Sequence, residues 1–122
     1  FFTEPLRNFA EKQVREAFAA AIARSVVPAV ANDATEATAH AAVERLRAAF
    51  PKWRDTDPVA RANVLVRAAA IMRARRDELS GIVIRESGKP WREADADVCE
   101  SIDFCEYYAR QAVPLFRPER LG

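Results

Sequence analysis

Five apolar residues towards the end of the chain, Val98, Ile102, Cys105, Ala109 and Ala112, recur at i, i+4, i+7, i+11 and i+14, which puts them on one stripe of an α-helix. A stripe that long must be covered by other helices or by a sheet, so it sets the architecture more firmly than any other segment. Its start is also marked. Gly88 can take the left-handed conformation that stops the preceding helix, and Lys89-Pro90 enforces the break. The pattern predicts a helix from about Trp91 to Ala112, ended by Pro114, with Pro118 keeping the tail irregular.

Similar punctuation divides the rest of the chain. Glycine is rare, at three residues, and β-branched runs are few, so most of the length favours helix. A leader helix is predicted over about 9–24, with Asn8 as N-cap and Phe9, Val14, Phe18 and Ile22 at mostly helical spacing. Residues 26–30 form the one β-branched patch; Pro28 within it would interrupt a central ladder, which leaves an extended segment or an edge strand. A second helix should start at Thr35 and pass through Val43, Leu46 and Phe50, with Pro51 kinking or ending it and Trp53 serving as a packing anchor. Asp57-Pro58 reads as the clearest helix start, an N-cap aspartate followed by a proline whose missing amide would have had no partner. The third helix follows to about Ala74 with a broad apolar stripe (Val64, Leu65, Ala68, Ala69, Ile71, Met72), and a short fourth contains Leu79, Ile82 and Val83. The fold class expected is therefore mainly α, about five helices with one short extended segment, and the helical core spans about 35–112.

Nineteen basic residues face eighteen acidic ones, a net charge of +1 that gives no electrostatic footprint for nucleic acid. There is no secretory pattern and no run of about eighteen apolar residues, so no membrane span and a cytoplasmic location are expected. Gly81, Gly88 and Gly122 fit neither a GxGxxG fingerprint nor a phosphate loop.

Candidate chemistry centres on the last long helix. Glu93, Asp95, Asp97, Glu100, Asp103 and Glu106 could in principle hold a metal or act as acid and base, but acids near a helix start are favoured by its dipole and later ones by ordinary salt bridges, so no metal is assigned. Glu100 differs. It falls one turn from Phe104 and about two turns from Tyr107 and Tyr108, where a carboxylate beside aromatic walls suits an ammonium group; a structural salt bridge is the competing reading. Cys99 and Cys105 are six apart, about 600° around a helix, so a disulfide between them is disfavoured. Cys105 lies on the apolar stripe and Cys99 has acidic neighbours that raise a thiol pKa, so neither reads as a nucleophile. His40, the only histidine, has no nearby nucleophile and reads as a surface or satisfied residue. Arg73, Arg75 and Arg76 complement a helix C-terminus, solvated rather than phosphate-binding.

Three blocks carry a family resemblance: FTEPLRNFAEKQVREAFAAAIAR, AAVERLRAAFPKWRDTDPVARANVLVRAAAIMRARRDEL and IVIRESGKPWREADADVCESIDFCEYYAR. The second resembles aldehyde dehydrogenases in general. The first and third are similar to the L-glutamate gamma-semialdehyde (1-pyrroline-5-carboxylate) dehydrogenase branch. The resemblance implies that residues 1–122 are one helical segment of the N-terminal, NAD-binding side of the α/β aldehyde dehydrogenase fold. It implies NAD-dependent oxidation of glutamate gamma-semialdehyde to glutamate, as in proline catabolism and glutamate formation. In that family a cysteine thiolate attacks the aldehyde, the thiohemiacetal passes hydride to NAD, and water releases the acid. The one matched functional position is Glu100, which resembles the acid near the substrate's amino group.

The family's catalytic cysteine, general-base glutamate and nucleotide-contacting segments have no counterpart in the matched blocks, so the chain is expected to be inactive alone. Its expected partners are the remainder of the dehydrogenase or another subunit, the amino-acid aldehyde, and, when complete, further copies of itself in a homo-oligomer. The family also has an extended stretch between the leader and residues 26–27 that this sequence lacks, and Pro28 stands where the family has glycine. The alternative expectation is a non-catalytic helical interaction or assembly module that keeps the family's N-terminal scaffold.

Overall fold

The computed structural model describes residues 2–116. Within them lie five helices: α1 (Lys12–Arg24), α2 (Glu36–Arg54), α3 (Pro58–Ala74), α4 (Arg76–Ser87) and α5 (Trp91–Leu115). The expected element count and order hold, and no strand forms among the described residues. Residues 26–30 are irregular, with Val26 and Val30 exposed, because an edge strand needs a neighbour to share its hydrogen bonds and none is present among the described residues.

The local signals that acted as expected are side-chain caps and glycine. Thr35 caps α2 and exchanges bonds with Thr38: Thr38 N–H donates to Thr35 Oγ1 at 3.2 Å and Thr35 N–H to Thr38 Oγ1 at 2.8 Å. Asp57 Oδ1 accepts from the amides of Val59 and Ala60, with Pro58 in the first turn. Gly88 ends α4 at φ 69°, in the left-handed region.

Three boundaries moved. Asn8 does not cap α1; its Oδ1 accepts from Ala10 N–H in a turn that delays the helix to Lys12, where Glu11 stands at the cap without a side-chain bond. Pro51 and Pro114 lie inside α2 and α5, which run on to Arg54 and Leu115. The loss of one ladder bond near a helix end removes little of the helix, so neither proline terminates it.

α5 is the spine. It packs along α3 and against α4, and α4 in turn carries α1. Ala69, Val98 and Ile102 form the buried core, with Met72, Leu79 and Cys105 packed around it, so the apolar stripe of α5 does face inward. Burying a side chain such as Ile102 contributes about 1.5–3 kcal/mol. Ala62, Ala69, Ala94 and Ala109 are buried too, small residues that let helix axes approach closely. A second packing centre is aromatic: Phe18 lies 5.1 Å from Phe9 and 5.4 Å from Trp91, ring centre to ring centre, with the Arg7 guanidinium 5.2 Å above its own ring.

The third helix is less covered than its stripe suggested: Ala62 and Ala69 are buried, but Val64, Leu65 and Ile71 are exposed. α2 packs on no other described helix, and its apolar row of Val43, Leu46, Phe50 and Trp53 is open. Trp53 is therefore no core anchor; it borders a shallow apolar hollow with Pro58, Leu65 and Phe116.

Candidate functional site

Beside α5 lies a hollow of about 670 Å³. One wall is the helix itself, contributing Glu100, Asp103, Phe104, Tyr107 and Tyr108; the other is the irregular leader, contributing Thr3, Glu4 and Leu6. The aromatic side is ordered by its own contacts, with Phe104 and Tyr108 rings 6.0 Å apart and Tyr107 edge-on to Tyr108 at 5.3 Å. Glu100 is exposed and has no hydrogen bond or ion pair among the described residues. The salt bridge that competed for Glu100 at the sequence level is thus absent within residues 2–116, while the aromatic walls are there.

Four other acids of α5, Asp95, Asp97, Asp103 and Glu106, have partners, while Glu93 is exposed and acts only through its charge on Lys89. Lys89 Nζ meets Asp97 Oδ2 at 2.5 Å, and this bond with the Asp97 charge, helped by Glu93 and Glu100, raises the Lys89 pKa. Asp103 Oδ1 accepts the backbone amide of Glu4 at 2.7 Å. Glu106 is paired with Arg110 and, at 3.3 Å, with Arg73, and the Arg110 bond first and Arg73 next lower its pKa. Among the described residues no group of three or more His, Cys, Asp or Glu could hold a metal ion.

Asp95 is the residue whose importance sequence reasoning missed. It is 1 % exposed, and its carboxylate takes Arg76 Nε at 2.8 Å and Arg76 Nη2 at 2.7 Å in a two-pronged pair, with Arg7 supplying its amide at 3.1 Å and its guanidinium. Burial alone would push the Asp95 carboxyl up; the Arg76 hydrogen bonds, the Arg7 amide and both positive charges outweigh it and hold the carboxyl below its usual range. A signal was available, since Asp95 stands at i relative to Val98 and Ile102 at i+3 and i+7, an acid on the apolar stripe.

The same pairing corrects the reading of the basic cluster. Arg76 is buried on Asp95, whereas Arg73, which reaches Glu4 at 2.9 Å, and Arg75, which reaches Glu78 at 2.6 Å, stay exposed as a solvated helix end should, so the correction applies to Arg76 alone. Cys99 is buried and its thiol pKa is raised, chiefly by that burial, with Asp95 and Glu4 adding and Arg76 and Arg7 opposing. Cys105 is half-buried against the core. Neither has the electropositive, accessible setting of a reactive thiolate. His40 is exposed on α2, 3.5 Å from Glu36.

Residues 10–119 match the sequence profile described as the aldehyde dehydrogenase family. The chain belongs to that family. Proteins named 1-pyrroline-5-carboxylate dehydrogenase are among its relatives: one from Halalkalibacterium halodurans is 49% identical over 88 residues, 72% of this chain and 17% of that protein, and one from Anoxybacillus flavithermus is 53% identical over 77 residues, 63% and 15% respectively. The chain thus spans about a sixth of the length of the curated relatives it matches. The structure resembles the N-terminal part of a Thermus thermophilus 1-pyrroline-5-carboxylate dehydrogenase variant, with a TM-score of 0.87 and 32% identity over 100% of this chain and 30% of that one. In sequence and fold this aldehyde dehydrogenase segment is similar to the corresponding part of proteins named 1-pyrroline-5-carboxylate dehydrogenase.

Proposed function

We propose that the chain is the N-terminal portion of an NAD-dependent dehydrogenase that oxidises L-glutamate gamma-semialdehyde to L-glutamate in proline catabolism, and that Glu100 receives the substrate's amino group. The 122 residues form one helical segment of its NAD-binding side, in a cytoplasmic enzyme that assembles as a homo-oligomer. The observation that carries the reading is Glu100 itself, an acid with no hydrogen bond or ion pair among the described residues, opening on a hollow walled by Phe104, Tyr107 and Tyr108 in a chain about half identical, over 63–72% of its length, to proteins named 1-pyrroline-5-carboxylate dehydrogenase. A carboxylate so placed can take a charge-assisted hydrogen bond from an ammonium group, and aromatic faces add cation–π attraction. A plain aliphatic aldehyde gains neither.

The residues described do not fit a dinucleotide. Gly81 lies inside α4 and Gly88 ends it, so neither forms the glycine-rich turn between strand and helix that cradles a pyrophosphate. NAD, whose part is to accept hydride, is assigned to the remainder of the enzyme, and the nucleophile with it, since Cys99 is buried with a raised pKa. The open apolar row on α2 supports the same division: Val43, Leu46, Phe50 and Trp53 need cover, which the rest of the dehydrogenase supplies.

The test uses the complete enzyme and the isolated chain. The complete enzyme should form NADH from glutamate semialdehyde, and Glu100→Gln should weaken kcat/KM for that substrate by about tenfold or more while sparing an aldehyde without an amine. The isolated chain should form no NADH. Equal kinetics of Glu100→Gln and wild type on both aldehydes would remove Glu100 from the substrate site, and turnover by the isolated chain would refute the division of labour.

A further inference from the structure

We propose that the buried Arg7–Asp95–Arg76 cluster is a clamp that fixes the leader as the second wall of the Glu100 hollow, making Arg7 and Asp95 positioning residues for an amine-bearing ligand. The inference rests on the reading of Glu100 given above.

Residues 3–7 have no helix or strand of their own, so their backbone groups must find partners elsewhere. They find them at two stations on α5. Glu4 N–H donates to Asp103 Oδ1 at 2.7 Å, and Arg7 N–H donates to Asp95 Oδ2 at 3.1 Å. The leader therefore runs antiparallel to the helix. The stations are eight residues apart on α5, about 12 Å along its axis, and three residues of extended chain span about 10–11 Å. The two spans agree to within the reach of the aspartate side chains, and Cys99 and Glu100 fall between the stations, beside Leu6. Thr3, Glu4 and Leu6 face the hollow as a result.

The clamp ties side chains from three elements to this one path. Arg76 from α4 donates Nη1 to Pro5 O at 3.0 Å while its other nitrogens hold Asp95, and Arg73 from α3 holds the Glu4 carboxylate at 2.9 Å. Arg7 bridges Asp95 and Asp77. A buried ion pair is often no more stabilising than a well-packed apolar group of the same size. What this one supplies is register: Asp95 takes up the Arg7 amide, which an apolar residue at position 95 would leave unpaired, and Arg76, held by Asp95, takes up the Pro5 carbonyl.

The test compares Glu100→Gln, Arg7→Gln and Asp95→Asn in the full-length dehydrogenase, reading KM and kcat for glutamate semialdehyde and for an aldehyde of similar length without an amine, with hydrogen exchange of residues 3–7. Arg7 is partly exposed and its replacement spares the Arg76–Asp95 pair, so Arg7→Gln keeps the test alive should Asp95→Asn fail to fold. Expected for Arg7→Gln are faster exchange at the Glu4 and Arg7 amides and a KM for the amino aldehyde raised about threefold to tenfold relative to the other, with kcat changing less. If Glu100→Gln alters discrimination and Arg7→Gln does not, or if Arg7→Gln raises KM equally for both aldehydes, the clamp is structural only and the inference is overturned. If Glu100→Gln has no effect on either aldehyde, the Glu100 reading fails and the inference falls with it.

Discussion

Replacing Gly81 with alanine sets two effects against each other. In the middle of a helix alanine is favoured over glycine by about 1 kcal/mol. At this position of α4, however, a Cβ would lie 2.1 Å from Ser25 Oγ, 2.7 Å from Ser25 Cβ and 3.3 Å from Ile22 Cα, because the end of α1 crosses here. Ser25 can swing its hydroxyl away by giving up its 2.9 Å bond to Ala21 O, but no rotation moves its Cβ, so α1 must shift off α4. Overpacking of this kind costs about 1–3 kcal/mol and the lost hydroxyl bond about 1 kcal/mol more. With the propensity gain subtracted, Gly81→Ala should destabilise the fold by about 1–3 kcal/mol. Urea unfolding followed by far-ultraviolet circular dichroism would show a lower midpoint with an unchanged slope. Adding Ser25→Gly, which removes the colliding Cβ, should recover part of the loss and give a favourable coupling of about 1 kcal/mol. A single variant with an unchanged or raised midpoint would refute the close approach as the reason for glycine.

Ile102→Ala, at a position with no exposed surface, should cost about 2–5 kcal/mol in the same assay, whereas Phe50→Ser on the open face of α2 should change the stability of the 122-residue chain by less than about 0.5 kcal/mol. Similar losses for the two would contradict the assignment of the core to the α3–α5 seam. For pH, the depressed carboxyl of Asp95 contributes stability that is complete above the unfolded carboxylate's pKa of about 3.9 and disappears as pH falls through the lower folded value. Unfolding midpoints measured from about pH 6 down to about pH 2 should therefore fall more steeply for wild type than for Asp95→Asn, and parallel profiles would show that Asp95 is not a source of the acid sensitivity.

Most of the fold's local plan was legible because its signals act over a single turn. Asp57-Pro58, Thr35 and Gly88 each satisfy or release backbone groups within four residues, so sequence spacing is enough to place them. The α1 start was misplaced because Asn8 had two local options, cap or turn, and it took the turn. Pro114 was read as a terminator, and Pro51 as a kink or an end, because sequence shows the lost amide but not how close each lies to a helix end. Of the candidate site, the α5 wall was readable: Glu100, Phe104, Tyr107 and Tyr108 share a helix, and helical geometry relates them.

The sequence by itself thus determined five helices, their order, the inward stripe of α5 and the grouping of Glu100 with aromatic residues. Only the tertiary structure decided what each charge meets. Glu4, Arg7, Arg73, Arg76 and Asp95 lie up to 91 residues apart, and no periodicity relates a leader without regular structure to a helix near the other end of the chain. It was folding that turned one arginine of a basic helix end and one acid of a series into a clamp, made the leader a wall of the hollow, and left α2's apolar row without cover among the described residues. The reason is physical: helix caps and stripes are satisfied by near neighbours, whereas a buried charge has to find its counter-charge wherever the packing of the helices brings one.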